Sequence, residues 1–310
     1  MTSMNNTTEL PVDHTERMAR ARLALEGLSI GDAFGQQFFS LYANIDQIVA
    51  ERGVPAAPWY WTDDTAMAIS IVEELGCSGE VDQDGLAKRF AARHAAEPHR
   101  GYGGMAHRIL MAIDSGASWS DVSPKAFDGQ GSMGNGGAMR VGPVGAYFAD
   151  DYDAVVENAR RSAEVTHAHP DGQAGAIAIA VAAAFVSRAG ANAGPEMAEE
   201  MFATVLERTP DGLTRTGIVR AAELSLDFDV STVIHAVGNG SQIVSYDTVP
   251  FTLWCAARHM GSYEDALWTT VLGLGDVDTT AAIVGGIVIN GRSEGAIPQE
   301  WIESREALPI

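Results

Sequence analysis

The chain has 310 residues, 46% of them hydrophobic and 20% charged, which is the composition of a folded protein long enough to bury a sizeable dry core. Twenty Lys and Arg stand against 41 Asp and Glu, a net charge of −21. With no basic run to replace condensed counterions, duplex nucleic acid is excluded as a partner, and adhesion to anionic membrane is excluded with it. Glycine is enriched, 33 residues or about 11% against an ordinary ~7%, and the excess is clustered.

In chain order, residues 1–12 are polar and predict a flexible tail without the apolar stretch of a signal peptide. Asp13-His14-Thr15-Glu16 has capping-box spacing, and Met18, Ala21, Leu25 and Leu28 then mark one helix face. Met67, Ile71 and Leu75 repeat that period, with Gly76 as the expected stop. Further helices are expected over 177–186, 197–205, 217–226, 249–257 and 281–289. The longest apolar run, 174–186, is too short to span a bilayer and reads as a buried helix. Period-two alternation is scarce, so the expectation is an all-α fold, a single domain over 13–310. Cys77 and Cys255 form no C-x-x-C pair, and two cysteines in a chain of this length point to a reducing cytoplasm.

Four clusters carry chemistry. Thr62-Asp63-Asp64-Thr65 and Gly275-Asp276-Val277-Asp278-Thr279-Thr280 each precede an expected helix. One Asp or Thr is enough to cap a helix, so the pairing of carboxylates at both starts has two readings. Either these are doubly acidic caps, or Thr62, Asp63, Asp64, Asp276, Asp278 and Thr279 meet in space as an all-oxygen set for hard cations, Mg²⁺ or Mn²⁺. Four carboxylates can hold two such ions and activate a water. The third cluster, residues 131–140, runs Gly-Ser-Met-Gly-Asn-Gly-Gly-Ala-Met-Arg into a helix. It is neither a Walker A loop nor a dinucleotide fingerprint; it is a tight turn or an anion cradle of backbone N–H groups. The fourth is Thr166-His167-Ala168-His169-Pro170-Asp171, either a helix end stopped by Pro170 or a histidine placed to stack on a base or bond a ribose.

Taken together, these landmarks resemble the ADP-ribosylglycohydrolases over residues 17–305. The run Gly27-Leu28-Ser29-Ile30-Gly31-Asp32-Ala33-Phe34-Gly35 resembles the opening glycine-aspartate helix of that family, and Trp61-Thr62-Asp63-Asp64-Thr65 its first metal motif. Gly134 to Arg140 is similar to the ADP-ribose loop, Thr166-His167 with His169-Pro170 to the next landmark, and 275–279 to the closing metal motif. The resemblance implies an orthogonal multi-helix bundle with two Mg²⁺ or Mn²⁺ ions holding a water and the distal ribose. The implied metal ligands are Thr62, Asp63, Asp64, Asp276, Asp278 and Thr279. The implied substrate contacts are Gly134, Asn135, Gly136, Gly137, Ala138, Met139, Arg140 and His167, with Asp63 or Asp64 as the catalytic base. The implied partner is an ADP-ribosylated protein or an ADP-ribose-containing small molecule, and the reaction is hydrolysis of its glycosidic bond. One position departs from the pattern: many members carry glutamate where this chain has Phe39, which turns the expectation toward ADP-ribosyl-arginine as substrate. Loss of that carboxylate also leaves open a non-catalytic ADP-ribose binder, or a hydrolase of another nucleoside or glycoside.

Overall fold

The computed structural model describes residues 10–41, 44–292 and 295–309. The expected tail falls mostly on residues 1–9, outside the described residues. The first third of the chain forms α1 (His14–Gln37), α2 (Ile45–Glu51), α3 (Asp63–Ser78), α4 (Gln83–Ala96), α5 (Gly104–Asp114) and α6 (Trp119–Val122). The middle forms α7 (Ala126–Gly129), α8 (Gly136–Met139), α9 (Gly142–Tyr147), α10 (Tyr152–Glu164), α11 (Pro170–Ala189) and α12 (Ala198–Arg208). The last third forms α13 (Leu213–Ala222), α14 (Val230–Val237), α15 (Ser245–Arg258), α16 (Tyr263–Val271), α17 (Val277–Val288) and α18 (Gln299–Ser304). Among the described residues extended pairing is confined to two isolated bridges, Trp59 with Arg305 and Gly134 with Val244. The fold is all-α, as the periodicity predicts.

Three helices make the centre. α1 packs on α17, α9 and α3, while α11 packs on α8, α9, α10, α12, α15 and α17. Residues 174–186 of α11 are buried on every side. This helix, extended to Asn192, is the one among the described residues long and apolar enough to cross a membrane. Its Ala-rich surface lets neighbours approach closely all round, which suits the middle of a bundle.

Helix ends differ from the sequence reading in several places: α13 covers Leu213–Ala222 where 217–226 is expected, and local chemistry accounts for three others. Asp13 stands at the N-cap of α1 but makes no capping bond. Its Oδ1 accepts from Arg17 Nε at 2.8 Å instead, because a guanidinium one turn on is a stronger donor than a backbone N–H. α3 continues past Gly76 to Ser78 and stops at Gly79, whose φ of 72° is the left-handed conformation that ends a helix cheaply. Pro170 opens α11 rather than stopping a helix, since a proline in the first turn lacks only an N–H that has no helical partner there.

The contact of α1 with α17 rests on Gly27, Gly31 and Gly35, one residue per turn on one face. A Cβ on Gly35 would lie 2.5 Å from the Val277 carbonyl oxygen, one on Gly27 2.6 Å from Ile289 Cβ, and one on Gly31 inside the shell of the Ala281 carbonyl oxygen. Those neighbours are largely backbone, so they cannot swing aside. Gly31→Ala is expected to destabilise by about 2 kcal/mol or more through overpacking, whereas Gly103→Ala, with no atom within 4 Å of the new methyl, should be near neutral. Paired thermal melts check this.

Candidate active site

Asp32 follows Gly31 and is fully buried between α1 and the start of α3. Its Oδ2 accepts from Thr62 N at 2.9 Å, Thr65 N at 3.1 Å and Thr65 Oγ1 at 2.5 Å, and its Oδ1 accepts from Thr62 Oγ1 at 2.8 Å. The N-terminus of α3 is therefore capped from another helix, while Thr62, at the N-cap position, makes no capping bond with its own side chain. That frees Asp63 and Asp64 from cap duty.

The two acidic helix starts meet. One carboxylate oxygen from each of Asp32, Asp64 and Asp278 lies within 4.8 Å of the other two. Asp276 stands at the N-cap of α17, its Oδ2 accepting from Asn135 Nδ2 at 2.7 Å. Thr279 is buried beside it, its N–H donating to Asp278 Oδ1 at 2.8 Å. Asp63 is partly buried, close to the backbone of Gly101. Burial pushes the carboxyl of Asp32 up to about 6 and that of Asp63 up to about 7, and raises Asp276. It drives Asp64 and Asp278 well above the carboxylate range, with repulsion from the neighbouring aspartates adding to it at Asp63, Asp64 and Asp278.

Two observations test whether a cation fits. Asp64 Oδ1 is buried without a hydrogen-bond partner. Thr62 Oγ1, with one proton to give, lies within hydrogen-bond distance of both Asp32 Oδ1 and Asp64 Oδ2. The cluster thus has more acceptor oxygens than donors, all of them hard, which is the demand a divalent cation meets.

The glycine loop is clasped by the 243–245 segment. Asn135 N donates to Ile243 O at 3.3 Å, Ser245 N to Met133 O at 3.0 Å, and Ser245 Oγ to Gly134 O at 3.1 Å. Gly134, Asn135, Ala138 and Met139 spend their N–H groups inside the protein; among the described residues those of Gly136 and Gly137 form no hydrogen bond. Ala138, Met139 and Arg140 are buried. Arg140 turns inward, its Nη2 donating to Ser162 O at 2.8 Å and Thr166 Oγ1 at 2.9 Å. His167, 6% exposed, lies under Gly134 and Gly136.

Beside the cluster, a cavity of about 550 Å³ is bounded by Thr62 and Asp278 on one side and by Gln36, Tyr60, Glu97 and Arg100 on the other. Arg100 is fixed in that lining by several contacts. The guanidinium stacks 3.5 Å from the Trp61 ring centroid, and it donates to Glu97 and to both oxygens of Glu306. Phe39 lies outside this lining, on the turn after α1, 38% exposed.

The model of the ADP-ribosylglycohydrolase family matches residues 13–308. The chain belongs to that family. It is 32% identical to the ADP-ribosylhydrolase ARH3 of Gallus gallus, over 94% of this chain and 90% of that protein. It is 21% identical to the ADP-ribosylarginine hydrolase Tri1 of Serratia proteamaculans, over 96% of this chain and 78% of that protein. A solved structure of an ADP-ribosylglycohydrolase-related protein complex has the same fold, with a TM-score of 0.59, 21% identity and 94% of each chain covered.

Within this family member, the residue that sequence reasoning left out of the site is Asp32. Its signal was present: it is the one charged residue between Gly27 and Gly35, on a helix that must be buried to use those glycines. The raised carboxyls carry a pH dependence. In the unfolded chain an aspartate titrates near 3.8, so the folded chain without cations binds more protons between about pH 4 and 7. That contribution to stability is full below about pH 4 and lost as the pH rises through about 6 and 7. A divalent cation replaces the missing protons. The rise in melting temperature on adding Mg²⁺ or Mn²⁺ to chelator-treated protein should therefore be larger at pH 8 than at pH 5.

Proposed function

We propose that this chain is a divalent-cation-dependent hydrolase that cleaves the glycosidic bond between ADP-ribose and a modified side chain, with arginine the preferred leaving side chain. The observation that carries the reading is the convergence of Asp32, Asp64 and Asp278 beside an open cavity. Thr62, Asp63, Asp64, Asp276, Asp278 and Thr279, with Asp32, are the residues that would hold two Mg²⁺ or Mn²⁺ ions. Such ions supply positive charge that acidifies water and steadies the distal ribose.

The remaining work belongs to the chain itself. The free N–H groups of Gly136 and Gly137 suit the diphosphate, which needs donors without side chains in the way. Asp63 or Asp64 takes the proton of the attacking water. The water oxygen bonds the anomeric carbon, the bond to the side chain breaks, and the leaving group departs with a proton. Of the residues bounding the cavity next to Asp278, the one from the end of α1 is Gln36 rather than an acid, and the one added carboxylate, Glu97, is taken up by Arg100; Phe39 stands outside the lining and carries no carboxylate. A guanidine needs little help from such an acid, because it is a strong base that keeps its proton. A serine alkoxide needs much more. The likeness to Tri1, whose name specifies ADP-ribosylarginine, supports the same choice.

Matched peptides ADP-ribosylated on arginine or on serine, incubated with Mg²⁺ or Mn²⁺ and followed by mass spectrometry, test the reading. Faster release from arginine is expected, and Asp64→Asn should lower kcat/KM by about a hundredfold or more. Faster release from serine overturns the preference. Release from neither, with ADP-ribose still bound, makes the chain a binder.

A further inference from the structure

The inward turn of Arg140 gives it a different task from touching substrate. Its guanidinium is fully buried over the Phe90 ring, 4.5 Å from the centroid, and its Nη2 donates to Thr166 Oγ1. Thr166 Oγ1 in turn lies 2.7 Å from His167 Nδ1. A guanidinium can only donate, so the Thr166 oxygen accepts from it. Among the described residues, His167 Nδ1 is the acceptor left within reach of the Thr166 proton. A ring that accepts at Nδ1 carries its own proton on Nε2. Burial, helped by the positive charge of Arg140, also drives the imidazole down to about 3, which keeps the ring neutral at physiological pH.

Nε2 has no hydrogen bond within the protein among the described residues. It faces the place where side chains of the loop would stand. A Cβ on Gly136 would lie 3.0 Å from it, and a Cβ on Gly134 3.1 Å. Neither glycine has the positive φ that would call for glycine on backbone grounds. Their missing side chains leave a gap over one ring nitrogen of a residue that is otherwise 94% covered.

We propose that Arg140 and Thr166 are positioning residues that hold His167 as its Nε2–H tautomer, so that the ring offers a hydrogen-bond donor through the gap between Gly134 and Gly136. The acceptor is an oxygen of the ligand seated on the loop; naming that ligand as ADP-ribose rests on the hydrolase reading, while the tautomer does not.

The test uses the full chain with ¹⁵N-labelled histidine rings. Long-range ¹H–¹⁵N spectra, with the His167→Gln variant identifying the signal, should show a proton on Nε2 and none on Nδ1. Thr166→Val removes the hydroxyl while keeping the shape; it should mix the tautomers and weaken ADP-ribose binding about tenfold by calorimetry. Thr166→Ser restores the hydroxyl and should restore both. Arg140→Lys keeps a cationic donor and should retain more of the native ring pattern than Arg140→Met. The melting temperature is followed throughout, and the Thr166 pair decides the matter if the Arg140 variants do not fold. A proton on Nδ1 in the native protein, or equal ADP-ribose affinity in native protein and Thr166→Val, overturns the proposal. Failure of the native protein to bind ADP-ribose defeats the hydrolase reading, and the ring spectra still decide the tautomer.

Discussion

The backbones of α1 and α17 touch, and that contact fixes where the carboxylates of the site stand. Glycine at 27, 31 and 35 removes the side chains that would hold the two helices apart. The result is that Asp32, on the neighbouring face of α1, is pressed between α17 and the first turn of α3. A carboxylate in such a place would be costly alone, since burial disfavours its charge. Here the N–H groups at the start of α3 and two threonine hydroxyls meet it. The same bonds explain why the α3 start can carry two further aspartates that cap nothing.

From that arrangement the polarity of the molecule divides into shells. The innermost shell is acidic and short of donors. Around it stand neutral residues that donate, such as Asn135, which bonds both Asp276 and Thr248. Behind the glycine loop lies Arg140, a buried cation held by a carbonyl, a hydroxyl, a ring face and the sulfur of Met67 rather than by a carboxylate. The desolvation it suffers, pulling it down to about 9, leaves it charged at neutral pH. Part of the chain's acidic excess is thus not at the surface but in a buried cluster that holds protons until a cation takes their place.

Long helices such as α1, α3, α11 and α15 and both acidic starts were legible because three-and-four spacing and paired carboxylates are local signals, while others such as α4 and α10 carried no period the sequence reading picked out. What escaped the sequence were choices between local and distant partners. Asp13 and Glu16 have the spacing of a reciprocal cap, yet Asp13 pairs with Arg17, and no spacing rule reports which donor wins. Thr62 looks like the cap of α3, but the cap is Asp32, 30 residues earlier, visible only once α1 is laid against α3. Gly76 reads as the stop of α3, and the backbone carries on to Gly79. Arg140 follows a run of loop residues and reads as one of them, although its side chain points the other way. In each case the residue type was informative and its direction was not, because direction depends on elements distant in the chain.

The fold also sets an order of events during synthesis. Tyr263 Oη donates to Gly27 O across 236 residues, and the helix that completes the carboxylate cluster begins at Val277. While the ribosome is still making the middle of the chain, α1 has no partner for its glycine face and Asp32 has no Asp278 opposite it. All-helical proteins are usually quick to fold because their contacts are local, but here the central contact closes a loop of nearly the whole chain, with the entropic penalty that such closure carries. Cations present during translation would therefore meet isolated aspartates rather than a site. A cation site could form only once the α17 region has been made, and until then the nascent chain must be kept from aggregating through a bare, glycine-lined helix.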